Sequence, residues 1–249
     1  MLETLGIVQA CFDCAQSRIK AARKLGTKSV LEWIVRRVTD CEQLDGVIVV
    51  TNDAPENQFV TELTPLDVPV FVAKQADAMG SLVAALENYD CKAVVRMSAE
   101  RPFLDPALVD HLVCSARDEI DCDYMSYASR NGQPAVLSPI GVFAEWLRTE
   151  TFRKAARKAD TSAAHETPTE YIISRPEKFR IRLLPAPAEI DRDDVRLTVD
   201  IEEDWDNALA IYEALGPEEL DWQRIAHLLD HQPAMRKRMA ALNRAYAPS

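Results

Sequence analysis

Short apolar runs alternate, through the first half of the chain, with stretches whose apolar positions recur at helical spacing. The runs Leu5–Ala10, Gly46–Thr51, Val68–Ala73 and Ala93–Met97 predict strands. Between them, positions 29–41, 55–63, 77–88 and 106–118 predict helices. Leu31, Trp33, Ile34 and Val38 fall on one side of the first of these, and Asp105-Pro106 supplies an N-cap carboxylate and an N1 proline for the last. Strand and helix alternating at this interval imply right-handed crossovers and a mostly parallel sheet.

The second half is less regular. Asp123–Tyr127, Ile140–Phe143, Phe179–Leu184 and Arg196–Val199 predict strands, with Asn131-Gly132 in the loop between the first two. Helices are expected near 144–157 and 165–175, then over Glu203–Leu215 and Trp222–Tyr246. The proline- and aspartate-rich stretch Pro185–Asp194 predicts a surface loop. No repeat, low-complexity tract or composition shift divides the chain. Residues 1–249 therefore read as one domain, with C-terminal helices at about 203–246.

Composition narrows the function. The 249 residues carry a formal net charge of -11 and are 47% hydrophobic. That balance disfavours nucleic acid and anionic membrane surfaces as partners, while leaving room for a phosphorylated ligand in a local basic pocket. No apolar run reaches membrane-span length, and the first residues lack a basic segment followed by an apolar one. A cytoplasmic protein whose six cysteines are reduced thiols is the expectation.

The chemistry concentrates in the first strand, loop and helix. A strand-loop-helix is a common phosphate cradle, because loop and helix-start N–H groups point at the ligand. This loop has no glycine between Gln9 and Leu25, and it contains Cys11-x-x-Cys14. A cysteine pair at that spacing before a helix suits dithiol exchange, whereas zinc needs more ligands than the pair supplies. Two neutral replacements in a phosphate loop are the alternative.

A series of motifs then appears in a fixed order. Gln9-Ala10, Lys20, Leu25-Gly26, Lys28 and Leu31-Glu32-Trp33 fit a loop of the form Q/P-A-R-x-x-S-x-R-L-P-G-K followed by L-x-G-K-P-L-L-E-W. Val49-Val50-Thr51, Val68-Pro69-Val70-Phe71 and Asp77-x-x-Gly80 come next. Val95-Arg96 and Arg101-Pro102-Phe103-Leu104-Asp105-Pro106 fit R-x-x-G-D-x-P-x-x-D-P, and Leu197-Thr198-Val199-Asp200-x-x-Glu203-Asp204 fits L-T-V-D-x-x-E-D. Over roughly residues 5–215 the chain resembles the cytidylyltransferases of the spore-coat-polysaccharide F type, relatives of the sialic-acid and Kdo cytidylyltransferases.

The resemblance implies an α/β fold, a glycosyltransferase-A-like sandwich with a mixed, mainly parallel sheet. It implies a Mg²⁺-dependent transfer of CMP from CTP to a sugar acid or related sugar, and a possible homodimer. Lys20 takes the place of the loop lysine that contacts the triphosphate, with Arg18 as a compensating cation. Gln9, Ala10, Cys11, Gln16, Asp77 and Ser81 fall on nucleotide-binding positions. Glu100 and Asp200 fall on the metal carboxylates, and His165 on a sugar-site position. Each has a plainer alternative: Lys20 as a solvent lysine, Asp200 as a helix N-cap, Glu100 as a partner of Arg101 or Arg96, His165 as a surface histidine.

The departures are as informative. Cys11, Cys14 and Gln16 stand where the family pattern has arginine, serine and arginine, and Ala99-Glu100 where it has glycine and aspartate. The extra methylene of glutamate moves its oxygens by roughly 1.5 Å. The family's acidic sugar-site stretch aligns with Leu137-Ser138-Pro139-Ile140-Gly141. A catalytically impaired nucleotide- or partner-binding descendant is therefore the rival reading, and a thiol redox protein a third.

Overall fold

The computed structural model describes residues 1–12, 15–74, 77–159, 161 and 167–246, with the backbone alone for 15–18. Seven strands form one sheet: β1 (Leu2–Gln9), β4 (Gly46–Asn52), β5 (Val70–Ala73), β6 (Cys91–Ser98), β7 (Tyr124–Ala128), β8 (Glu145–Arg148) and β9 (Ile181–Pro185). Their spatial order is β5-β4-β1-β6-β8-β7-β9. Only β8 runs against the rest, antiparallel to both β6 and β7, so the sheet is mixed and mainly parallel as expected. A separate two-stranded hairpin, β2 (Lys24–Leu25) and β3 (Lys28–Ser29), follows α1 (Ala15–Ala22).

The apolar strand runs are buried on both faces. Leu5, Ile7, Ile48, Val50 and Val94 pack against Met79, Leu82 and Leu86 of α4 (Ala78–Asn88). Val8, Val49, Val95 and Met97 face the other layer, with Leu31, Ile34, Val35 and Val38 of α2 (Val30–Thr39) and Leu112 of α5 (Pro106–Asp118). The start of α2 is fixed by Ser29, whose hydroxyl accepts from the Glu32 N–H at 3.0 Å. Asp105 caps α5, accepting from Leu108 N at 3.1 Å.

Five sequence expectations are corrected. The 55–63 helix is a 3₁₀ turn, Pro55–Asn57, and a short α3 (Phe59–Leu63). Ile140–Phe143 is not a strand; Gly141 adopts φ +76, and the strand lies farther on at β8, inside the stretch expected to be helical. The helix of that stretch, α6 (Thr149–Lys158), starts only where β8 ends. Arg196–Val199 is not a strand either. The Leu197 and Thr198 N–H groups both donate to the Pro139 carbonyl, at 2.8 and 3.2 Å, and Val199 N donates to the Glu100 carbonyl at 3.1 Å. These bonds go to loops, so no ladder forms. Finally, Trp222–Tyr246 is two helices. Pro233 supplies no N–H, and the chain breaks at His231–Gln232.

The remaining α-helices among the described residues are α7 (Pro168–Ile173), α8 (Glu202–Leu215), α9 (Trp222–Asp230) and α10 (Pro233–Ala245). No helix among the described residues is long and apolar enough to cross a membrane.

Candidate active site

The chain order of the sheet reverses at β1, whose neighbours are β4 on one side and β6 on the other. A crevice opens at the carboxyl ends of the strands at such a point. Gln9 ends β1 and pairs in register with Ser98 at the end of β6. Two residues beyond Ser98 comes Glu100, exposed, its N–H donating to Ser98 Oγ at 3.3 Å.

Opposite Glu100 runs the segment 195–200. Gly141 makes room for it: a Cβ at that position would sit 2.9 Å from the Leu197 carbonyl carbon and the Thr198 nitrogen. With Val199 bonded to the Glu100 carbonyl, Asp200 is brought beside Glu100, and both line one cavity. Lys20, in the last turn of α1, crosses to the same place and donates from Nζ to the Asp200 carbonyl oxygen. Lys20 and Glu100 also line a small recess with Phe12, Ala21 and Val199. Three of the predicted site residues thus converge.

Asp200 is not the N-cap of α8; that position is Ile201. The Asp200 Oδ2 instead accepts from Thr198 Oγ1 at 2.8 Å and Arg196 Nη2 at 3.3 Å, while Oδ1 takes no hydrogen bond from a described residue. Its orientation is set by a buried pair that sequence reasoning missed. Arg196 (5% exposed side chain) donates twice to Asp204 (0%), at 2.6 and 2.9 Å. Asp204 Oδ2 also accepts from the Asp200 and Ile201 N–H groups at 3.0 and 3.1 Å. The signal was present, since Asp204 is the last residue of the L-T-V-D-x-x-E-D match.

The other predicted residues divide. Gln9 Oε1 accepts from Arg96 Nη1 at 2.6 Å, and Arg96 also reaches Glu145 and Thr169. Arg96 therefore pairs with Glu145 rather than Glu100, and Glu145 is 1% exposed. Ala10 is buried, its carbonyl accepting from Thr51 Oγ1 at 2.7 Å. Asp77 caps α4, accepting from Gly80 N at 2.7 Å, and Ser81 is fully buried one turn on. Cys11 is half-buried in the loop. The side chains of Gln16 and Arg18, and all of Cys14 and His165, lie outside the described residues.

Beyond Glu100 the cavity widens to about 960 Å³. One wall is Leu137–Ile140, another the 191–196 segment, and a third α10 with Tyr246 after it. Asp194 ties the last two together, accepting from Arg192 Nε at 2.9 Å and Arg236 Nε at 2.7 Å. Burial works to raise the Asp194 carboxyl, but the two guanidinium groups outweigh it and hold it below the ordinary carboxylate range. Arg101 lines the cavity directly after Glu100. Burial pushes its guanidinium down, opposed by the charges of Asp200 and Glu100.

Residues 16–167 match the MobA-like NTP transferase domain. The chain belongs to that family. Among relatives of this MobA-like chain, the spore coat polysaccharide biosynthesis protein SpsF of Bacillus subtilis is 24% identical over 222 residues, covering 87% of this chain and 89% of SpsF. A cytidylyltransferase of Leptospira borgpetersenii superposes with TM-score 0.81 at 18% identity, covering 94% of this chain and 97% of that one. CMP:2-keto-3-deoxy-manno-octonic acid synthetase, solved with CTP, gives 0.62 at 11% identity over 85% and 99% of the two chains. Rv0371C of Mycobacterium tuberculosis, solved with manganese, gives 0.59 at 19% over 84% and 98%. The MobA-like chain thus has the nucleotide-diphospho-sugar transferase fold, and the resemblance read from its motifs holds.

Proposed function

We propose that this protein is a cytidylyltransferase that transfers CMP from CTP to a sugar acid or related sugar, in the cytoplasm, for surface polysaccharide synthesis. The observation that carries the reading is the meeting of Lys20, Glu100 and Asp200 at the carboxyl edge of the sheet, with a large cavity directly beyond Glu100. A triphosphate on the β1–α1 side would meet the Lys20 ammonium as a point charge. The acceptor sugar would occupy the cavity. Its oxygen then attacks the α-phosphorus in line, a new P–O bond forms, and the bond to pyrophosphate breaks. Such chemistry depends mainly on positioning and charge neutralisation.

The donor set suits a divalent cation. Glu100 and Asp200 place hard carboxylate oxygens on the lining of one cavity, and the Asp200 Oδ1 has no described partner. Mg²⁺ takes few protein oxygens and keeps phosphates and waters for the rest. When bound, it would neutralise charge on the phosphates. Arg196 and Asp204 hold the Asp200 main chain and carboxylate in place, and Arg96 holds Gln9.

The test is pyrophosphate release by the purified full chain with CTP, Mg²⁺ and a panel of sugar acids and sugars. Turnover with CTP above other nucleotides is expected. One observation favours a second reading: Cys11 and Gln16 stand at the two arginine positions of the loop. If calorimetry finds Mg²⁺-dependent CTP binding and no acceptor yields pyrophosphate, the chain is a binding descendant.

A further inference from the structure

We propose that Arg101 is a specificity-determining residue, binding an oxyanion, phosphate or carboxylate, carried by the molecule that fills the large cavity. Arg130 and Arg244 serve as flanking cations. The inference rests on the reading above only in taking that molecule to be the acceptor.

The first observation is an unmet hydrogen-bond donor. Arg101 spends Nη2 on the Val136 carbonyl, while Nη1 is buried and has no partner among the described residues. A buried charged N–H without an acceptor is costly, and a ligand oxygen at Nη1 removes that cost. The guanidinium fork suits two oxygens of one anion.

The second is the division of charge around the cavity. Arg192 and Arg236 are held by Asp194, and Arg196 by Asp204. Arg130 and Arg244 line the same space, are exposed, and make no side-chain hydrogen bond or ion pair with a described residue. The neighbouring Asp191 carboxylate is occupied by the Arg130 main-chain N–H at 2.5 Å. Arg101, Arg130 and Arg244 face the cavity together with the exposed carboxylates of Asp193 and Glu100, so cations with no described carboxylate partner remain on its wall.

The third comes from sequence. Position 101 is unspecified in R-x-x-G-D-x-P, so the arginine belongs to this chain rather than to the motif. The acidic stretch of the motif's sugar site is Leu137–Gly141 here, which forms a wall of this cavity. Apolar residues at that wall with Arg101 behind them favour an anionic group on the part of the ligand that reaches it.

The test titrates the full-length protein, without nucleotide, with inorganic phosphate and separately with acetate at constant ionic strength. Binding of one anion is expected to weaken about tenfold or more in Arg101→Met, with partial recovery in Arg101→Lys. Lys92→Met should leave it within about twofold, because that lysine sits at the amino end of β6, paired with Glu3 and away from the cavity lining. The anion that binds in an Arg101-dependent manner identifies the group, phosphate or carboxylate. Because Arg101 is buried enough that its variant could unfold, Arg130→Met/Arg244→Met is titrated as well, and a weakening of about threefold or more is expected. Failure of both anions to bind, loss of binding in Lys92→Met equal to that in a folded Arg101→Met, or unchanged affinity in the double variant would overturn the proposal. A wild type that binds CTP and neither anion sinks this inference alone; one that binds an anion through Arg101 and never CTP sinks the nucleotidyl-transfer reading alone.

Discussion

Lys20 and Asp200 stand 180 residues apart in the chain, and the Lys20 ammonium donates to the Asp200 carbonyl oxygen. The contact joins the last turn of α1 directly to the 195–200 segment. Replacing Lys20 by methionine removes the cation and this tie. One charged hydrogen bond is worth about 1.5–3 kcal/mol, so CTP affinity should fall roughly ten- to a hundredfold. Calorimetry with CTP and Mg²⁺ checks it, and unchanged affinity would remove Lys20 from the site.

Asp204→Asn should be among the most damaging single changes to stability. It leaves the Arg196 guanidinium buried opposite a neutral group and weakens the acceptor for the Asp200 and Ile201 N–H groups. Breaking a buried pair from one side costs about 3–5 kcal/mol. Urea unfolding of the variant gives the value; a loss below about 1 kcal/mol would mean the pair holds nothing in place.

Asp194 sets a pH dependence. Its carboxyl is held below the ordinary value, so the folded chain binds fewer protons than the unfolded chain in that interval. The contribution is fully present above the ordinary carboxylate pKa of about 3.9 and is lost as pH falls through the folded value. Asp194→Asn should cost about 1–2 kcal/mol near neutrality and flatten the acid limb of a stability-pH curve. An acid limb as steep as in the unsubstituted protein would point to other carboxylates.

Gly26 turns the β2–β3 hairpin at φ +62, and a Cβ there would lie 2.1 Å from the Tyr212 hydroxyl. Gly26→Ala should therefore lower stability by about 1–2 kcal/mol from the backbone alone, with more from displacing Tyr212. Tyr212→Phe in the same chain should recover part of the loss. Thermal unfolding of Gly26→Ala, Tyr212→Phe and the double variant separates backbone strain from the clash.

The sheet was legible in its parallel half, where unbroken apolar runs are buried on both faces, as at Ile7-Val8 and Val94-Val95, and β8 was missed because Glu145 and Arg148 bracket only two apolar residues. The sheet was misread where apolar residues are buried without a ladder. Leu197 and Val199 are each 2% exposed, so they look like strand residues, yet their N–H groups go to the carbonyls of Pro139 and Glu100. Pattern reports burial; it does not report where hydrogen bonds go. In the site, Lys20, Glu100 and Asp200 were legible through the motifs. Arg101 was not, because its meaning depends on Val136 and on a wall made by helix α10, both remote in sequence. Arg196 and Asp204 escaped because a buried charged pair leaves no periodic trace.

The main-chain bond from Val199 to the Glu100 carbonyl has an evolutionary consequence. Because no side chain takes part, the spacing of the two carboxylate positions survives any substitution at either of them. Descendants can exchange aspartate for glutamate, or lose arginines from the facing loop, and still inherit the same frame. That separation leaves the frame independent of the side chains it carries.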